Sequence, residues 1–148
     1  MSIIWLGDVS SKNSSIVGNK VANISILYDD YKIPPGFIIP PLDQTHMGNG
    51  DIIVPAEYSD SITASYQNLC EFTGIQNVNV AVRSSALDED SQVSSFAGQH
   101  DTYLNIRGEE ELKYAIAQCW LSSYSVHALS FREHFGLEHI EQSMPVLI

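Results

Sequence analysis

Apolar side chains recur along this chain in two rhythms. One returns every third or fourth residue. Val17, Val21, Ile24, Tyr28 and Tyr31 keep that spacing and predict a first helix of about three turns. Pro34-Pro35-Gly36 stops it. Tyr58, Ile62, Tyr66, Leu69 and Phe72 form a second helical stripe, and Gly74 stands where a residue just past a helix end should be. Leu112, Ile116, Cys119, Trp120 and Ser123 give a third helix its buried face. That helix opens on Glu109-Glu110-Glu111, acidic side chains suited to the positive end of the macrodipole. It is expected to run towards Phe135 and to stop at Gly136.

The other rhythm has the period of a strand. Val78, Val80 and Val82 face one way, Asn79 and Ala81 the other. Thr102 to Ile106 reads as a further strand, turned by Arg107-Gly108. Short strands are also expected at Ser2 to Leu6 and at Phe37-Ile38-Ile39, the latter closed by Pro40-Pro41. Leu42 to Pro55 holds the turn signature Gly48-Asn49-Gly50-Asp51 and reads as an excursion. Met144-Pro145-Val146-Leu147-Ile148 is an apolar strand without a flanking turn. It is expected to lie as an unpaired edge that should pair with residues not present, so the chain reads as a piece of something longer. Helices interleaved with strands predict an α/β fold in a single domain over residues 1–148.

Charge narrows the function. The formal net charge is −11, which disfavours binding to a nucleic-acid polyanion. ATP stays open, because local cations outweigh the total. Lys and Arg number only 7, so each one inside a motif stands out. There is no apolar run long enough for a membrane span, and the N-terminus lacks the basic start of a signal peptide. A cytoplasmic location is expected. Cys70 and Cys119 form no C-x-x-C and sit in apolar helical patterns, as buried thiols in a reducing compartment would. The histidines are scattered without metal-ligand spacing.

Candidate chemistry gathers where the valine strand ends. Arg83 sits at the join of strand and loop, followed by Ser84, Ser85 and later Gly98. A guanidinium matches phosphate oxygens in a fixed fork. Hydroxyls, backbone amides and a glycine add to an anion grip. Pairing of Arg83 with Asp88 or Asp90 is the alternative. Lys20 follows Gly18 at a turn before the first helix, where free amides attract phosphate. A solvated lysine is the alternative there, and the segment is not a P-loop. Asp88-Glu89-Asp90 has the chemistry of Mg²⁺ ligands. Three consecutive loop residues cannot all face one ion, so a solvated loop is the better reading.

Val82-Arg83-Ser84-Ser85-Ala86, then Glu89-Asp90, then Ser95-Phe96-Ala97-Gly98-Gln99 resembles the ATP-binding domain of the phosphoenolpyruvate synthase and pyruvate phosphate dikinase family. Within it the likeness is to the synthase and rifamycin phosphotransferase branch. Asp101 to Ile106 continues the match. Val17 to Asn23 followed by Ile33-Pro34-Pro35-Gly36-Phe37 resembles the family's N-terminal glycine-lysine turn, helix and exit. Cys119 to Ser122, Ala128 and Ser130-Phe131-Arg132 resemble its next helix. The turn departs from the family pattern, since Asn19 and Val21 stand where a glycine and a small residue are usual.

The resemblance implies an incomplete, ATP-grasp-like nucleotide-binding domain, the N-terminal portion of a dikinase-type phosphotransferase. Such an enzyme passes phosphate from ATP through a histidine on another domain to a small-molecule acceptor, pyruvate or a rifamycin-like antibiotic. Lys20 and Arg83 are implied phosphate contacts. Gly98 and Gln99 are implied to belong to a loop that closes over the phosphates. Arg132 matches a recurrent family arginine, with Glu133 or Glu141 as its alternative partners. Mg²⁺ ligands are implied to lie beyond Ile148, and the 148-residue chain alone is expected to be inactive. A catalytically inactive remnant, acting as a regulatory or interaction module, is the competing expectation.

Overall fold

Every strand expected from the apolar pattern joins one sheet. The computed structural model describes residues 2–41, 54–85, 102–123 and 144–148. Within them the strands are β1 (Ile4–Trp5), β2 (Phe37–Ile39), β3 (Val80–Ser84), β4 (Thr102–Ile106) and β5 (Val146–Leu147), and the helices are α1 (Ser14–Val17), α2 (Asn19–Ile26), α3 (Ala56–Thr73) and α4 (Glu109–Ser123). The sheet order is β1-β2-β5-β3-β4. All of its pairings are antiparallel. The expectation of helices packed on a sheet therefore holds, but the described strands pair antiparallel, without the parallel pairing that marks an α/β class.

Side-chain alternation divides the core into two layers. Phe37, Ile39, Val82, Val146 and Ile148 face α3 and α4, where they meet Ile62, Tyr66, Leu69, Leu112, Ile116 and Trp120. Ile4, Ile38 and Leu147 face the other way, onto Val17, Val21 and Ala22 of α1 and α2. β2 is buried along its whole length. Such a strand, covered on both faces, reads as a continuous apolar run. Trp5 tilts against Phe37, with ring centroids 5.5 Å apart, which adds an aromatic contact at the β1 edge.

The final strand corrects the expectation of an unpaired edge. β5 lies in the middle of the sheet, paired with β2 on one side and β3 on the other. Phe37 and Ile148 exchange both backbone hydrogen bonds, at 3.0 and 2.9 Å. The backbones come so close that a Cβ on Gly36 would collide with the Ile148 carbonyl. That contact explains the glycine after Pro34-Pro35.

The first expected helix is broken in two. Gly18 separates α1 from α2 with φ 80 and ψ 159, a conformation that side chains with a Cβ rarely adopt. α2 ends at Ile26 and a turn follows, so Tyr31 lies exposed instead of on a buried stripe. Asn13 caps α1 by accepting from the Ser15 amide at 3.0 Å. The second stripe holds at Ile62, Tyr66 and Leu69, but Phe72 is 74% exposed. α3 closes at Gly74, as expected. Of the two thiols, Cys119 is buried and Cys70 only partly so.

β4 carries a bulge that the sequence pattern did not reveal. Val80 pairs with Ile106 and Val82 with Tyr103, so β4 holds one residue more than β3 between them. Asn105 takes a left-handed φ of 58, which asparagine tolerates. The extra residue lets Tyr103 and Ile106, three apart, both pack against the α3–α4 core. Below the sheet, the Tyr66 hydroxyl donates to the Val78 carbonyl (2.8 Å) and accepts from the Gly108 amide (2.9 Å). One buried phenol thus ties α3 to the entry of β3 and to the turn before α4. Residues 42–53 of the excursion expected from Leu42 to Pro55, and the run of the third helix beyond Ser123, lie outside the described residues.

Tyr66→Phe leaves the Val78 carbonyl and the Gly108 amide without their partner, and is expected to cost about 1–3 kcal/mol in denaturant unfolding. Burial also pushes the Tyr66 phenol above its ordinary pKa. The neutral form is favoured in the fold, so its contribution is intact below about pH 10 and is lost as pH rises further. Wild type should lose more stability than Tyr66→Phe above that pH. Parallel pH profiles would refute the assignment. Gly18→Ala should cost about 1–3 kcal/mol through backbone strain. A variant with an unchanged unfolding midpoint would show that the turn is not so constrained.

Candidate functional site

Cross-strand partners share a face of a sheet. Arg83 pairs with Leu147 on β5 and with Thr102 on β4. Leu147 pairs in turn with Ile38, and Ile38 with Ile4. That row is the one covered by α1 and α2. Arg83 therefore projects on the α2 side, beside the end of the apolar layer, and is exposed. Among the described residues it makes no ion pair.

Lys20 belongs to the same side. It is the second residue of α2, half-buried, and α2 starts without a side-chain cap among the described residues. The first amides of such a helix have no partner within the helix and carry the positive end of its dipole. Gly18 opens this helix between Val17 and Val21, both of which pack on that face of the sheet. The structure thus places Lys20 and Arg83, 63 positions apart in the sequence (83 − 20), on one layer of the molecule.

The serines after Arg83 do something other than the expected grip. Both are buried. The Ser85 hydroxyl donates to the Val17 carbonyl at 2.8 Å, and its amide donates to the Pro145 carbonyl at 2.9 Å. Ser84 pairs with Val146, on the α3–α4 face. Strand alternation thus puts Arg83 and Ser85 on the α2 face and sends Ser84 through to the other. Sequence reasoning named the hydroxyls but missed the carbonyl that Ser85 satisfies. The only signal was a serine two positions beyond an arginine at a strand end.

A cleft of about 400 Å³ adjoins Arg83, walled mainly by Ile24, Pro34, Pro35, Ala81 and Leu147. It lies in line with β5, alongside the stretch of β3 before Val82. Its lining is apolar apart from Arg83, Asn79 and Thr73. Gly98, Gln99 and Arg132, and with them Asp88, Glu89 and Asp90, lie outside the described residues. Among the described residues there is no group of three or more His, Cys, Asp or Glu placed to hold a metal ion. No helix among them is long and apolar enough to cross a membrane.

Comparison with known proteins gives the family. A probable phosphoenolpyruvate synthase of Methanocaldococcus jannaschii is 28% identical over 181 residues, covering 99% of this chain and 15% of that protein. The phosphoenolpyruvate synthase of Aeropyrum pernix is 28% identical, covering 99% of this chain and 22% of its own length. A probable phosphoenolpyruvate synthase of Archaeoglobus fulgidus is 31% identical, covering 100% of this chain and 24% of its own. The chain thus spans at most about a quarter of the length of these relatives. The family described as "Pyruvate phosphate dikinase, AMP/ATP-binding domain" matches residues 51–148, a stretch that holds α3, β3 with Arg83, β4, α4 and β5. The chain belongs to that family.

Proposed function

We propose that the chain binds the phosphates of ATP on the α2 face of its sheet, between the start of α2 and the end of β3. It serves as the nucleotide-binding portion of a dikinase-type phosphotransferase with an ATP-grasp-like fold. The observation that carries this reading is the exposed Arg83, set without an ion pair among the described residues on the layer that also holds the uncapped start of α2. Family membership over residues 51–148 supports the choice of ATP among anions.

Each group has a separate task. The Arg83 guanidinium offers two parallel N–H donors to phosphate oxygens. Lys20 adds a point charge to the amides and dipole of α2. Held at fixed places before the ligand arrives, these charges need little reorganisation, the condition under which electrostatic stabilisation is strongest. Gly98 and Gln99, and Arg132 on its own segment, complete the proposed nucleotide contacts. Transfer through a histidine to pyruvate, or to a rifamycin-like acceptor, belongs to the proposed whole enzyme. Mg²⁺ would shield phosphate charge there. The described residues show no cluster that fits it, so no step in this chain is assigned to the ion.

ATP binding is the readout that tests the reading, since the chain spans only a fraction of its relatives. A charge-assisted hydrogen bond contributes about 1.5–3 kcal/mol, or roughly 10- to 150-fold in affinity. Calorimetric titration of ATP into Arg83→Ala should show a loss of that order. Arg83→Lys should recover little of it, because an ammonium cannot form the fork. Lys20→Ala should lose less than Arg83→Ala. Equal affinities for wild type and Arg83→Ala would overturn the site.

A further inference from the structure

Lys20 and Arg83 reach their common face from segments far apart in the chain, and apolar packing alone does not set their relative register. Val17, Val21 and Ala22 press on Ile38 and Leu147, but such contacts are non-directional. A directional link between the two segments is the bond that the Ser85 hydroxyl donates to the Val17 carbonyl, at 2.8 Å across 68 positions of sequence. Both residues are fully buried, at 0% exposure. Water does not compete for the bond, and neither group has solvent to fall back on.

The link sits at the right places on both sides. Ser85 is two residues past Arg83 on the same face, and its own amide is held by Pro145 at 2.9 Å. Its hydroxyl is therefore presented from a frame already fixed by β5. Val17 is the last residue of α1, immediately before Gly18, whose φ of 80 sets the direction of α2. Gly18 donates to Ser14 at 2.9 Å and accepts from Ala22 at 3.0 Å, so the junction moves as one piece with the first turn of α2. Pulling on the Val17 carbonyl orients that turn.

We infer that Ser85 is a positioning residue of the nucleotide site: its buried hydroxyl clamps the α1–α2 junction to β3, so that the start of α2 with Lys20 is held in register with Arg83. The inference rests on the phosphate-binding reading above. Ser85 touches no ligand in this arrangement, and its effect on binding passes through Lys20 and the α2 amides.

Two measurements on the whole chain test it. In the first, hydrogen exchange is followed without nucleotide. Ser85→Ala should speed exchange of the Ala22 amide, which donates to the Gly18 carbonyl, and leave the amides of α3 and α4 unchanged. Ser85→Thr, which keeps the hydroxyl, should restore slow exchange. Ser85→Cys keeps the side-chain shape with a weak donor and replaces Ser85→Ala if that variant does not fold. Unchanged Ala22 exchange refutes the clamp, whatever ATP does. In the second, ATP affinity is measured in a double-mutant cycle. Ser85→Ala should weaken ATP roughly 2- to 12-fold, the span of one net hydrogen bond. In the Lys20→Ala background the loss should be smaller, since only the share carried by the α2 amides remains. An equal loss in both backgrounds overturns the positioning role. If wild type and Arg83→Ala bind ATP equally while Ala22 exchange responds as expected, the nucleotide reading fails and the clamp stands.

Discussion

The fold depends on β5 lying between β2 and β3. Without it the described strands form two separate ribbons, β1 with β2 and β3 with β4. Two-stranded ribbons are marginal in water on their own. β5 supplies the missing ladder on both sides at once, through Ile38 and Ile39 on one strand and Arg83 and Ser84 on the other. Its side chains feed both layers of the core: Val146 and Ile148 go to the α3–α4 side and Leu147 to the α2 side. Residues at one end of the sequence thus complete contacts with residues over a hundred positions earlier. Closing such long-range contacts is entropically costly before they form, so the ordering of β5 and the closure of the sheet are one event.

The same constraint frames the candidate site. Leu147 sits opposite Arg83, and Pro145 holds the Ser85 amide. The backbone on each side of the arginine is therefore fixed by β5, while β4 restrains it through Thr102. Ser85 then extends that order to Val17 and the start of α2. The two cations inherit their placement from a strand that carries no charge.

Much of this architecture was legible from the apolar pattern. The α3 stripe through Ile62, Tyr66 and Leu69, its stop at Gly74, and the α4 face through Leu112, Ile116, Cys119 and Trp120 stand where the periodicity puts them, while the valine strand runs from Val80 to Ser84 and takes Arg83 inside it instead of at its end. The failures have physical causes. Val17 to Tyr31 keeps a helical spacing, but a positive φ at Gly18 breaks the helix, and periodicity does not register a backbone dihedral. Tyr31 and Phe72 fit their stripes and are exposed, since a stripe is buried only where something packs on it. β5 is apolar at every position, the mark of a strand covered on both faces. Nothing in a linear pattern says which strands flank it, so its place in the middle of the sheet is invisible there. The bulge at Asn105 left a single trace, a residue type that accepts left-handed backbone. At the site, Arg83 was legible by residue type and position, while the role of Ser85 needed a partner 68 positions away.

A chain of net charge −11 does not obviously suit an anion as ligand. Screening decides which charges count. At physiological ionic strength the screening length is about 8 Å, so most of the acidic side chains are felt weakly at any one place. What acts on a phosphate is the handful of charges within that radius, and unit charges at about 4 Å interact with about 4 kcal/mol near a protein surface. An exposed arginine and a helix start on one face can therefore outweigh carboxylates that lie beyond that radius. The balance is sensitive to geometry, because the same screening that silences charges beyond that radius also silences a cation displaced by a few ångströms. A cation-poor protein has few charges with which to compensate for such a displacement. It has all the more need of rigid supports for those it has, and the ladder at β5 and the buried bond from Ser85 to Val17 are supports of that kind.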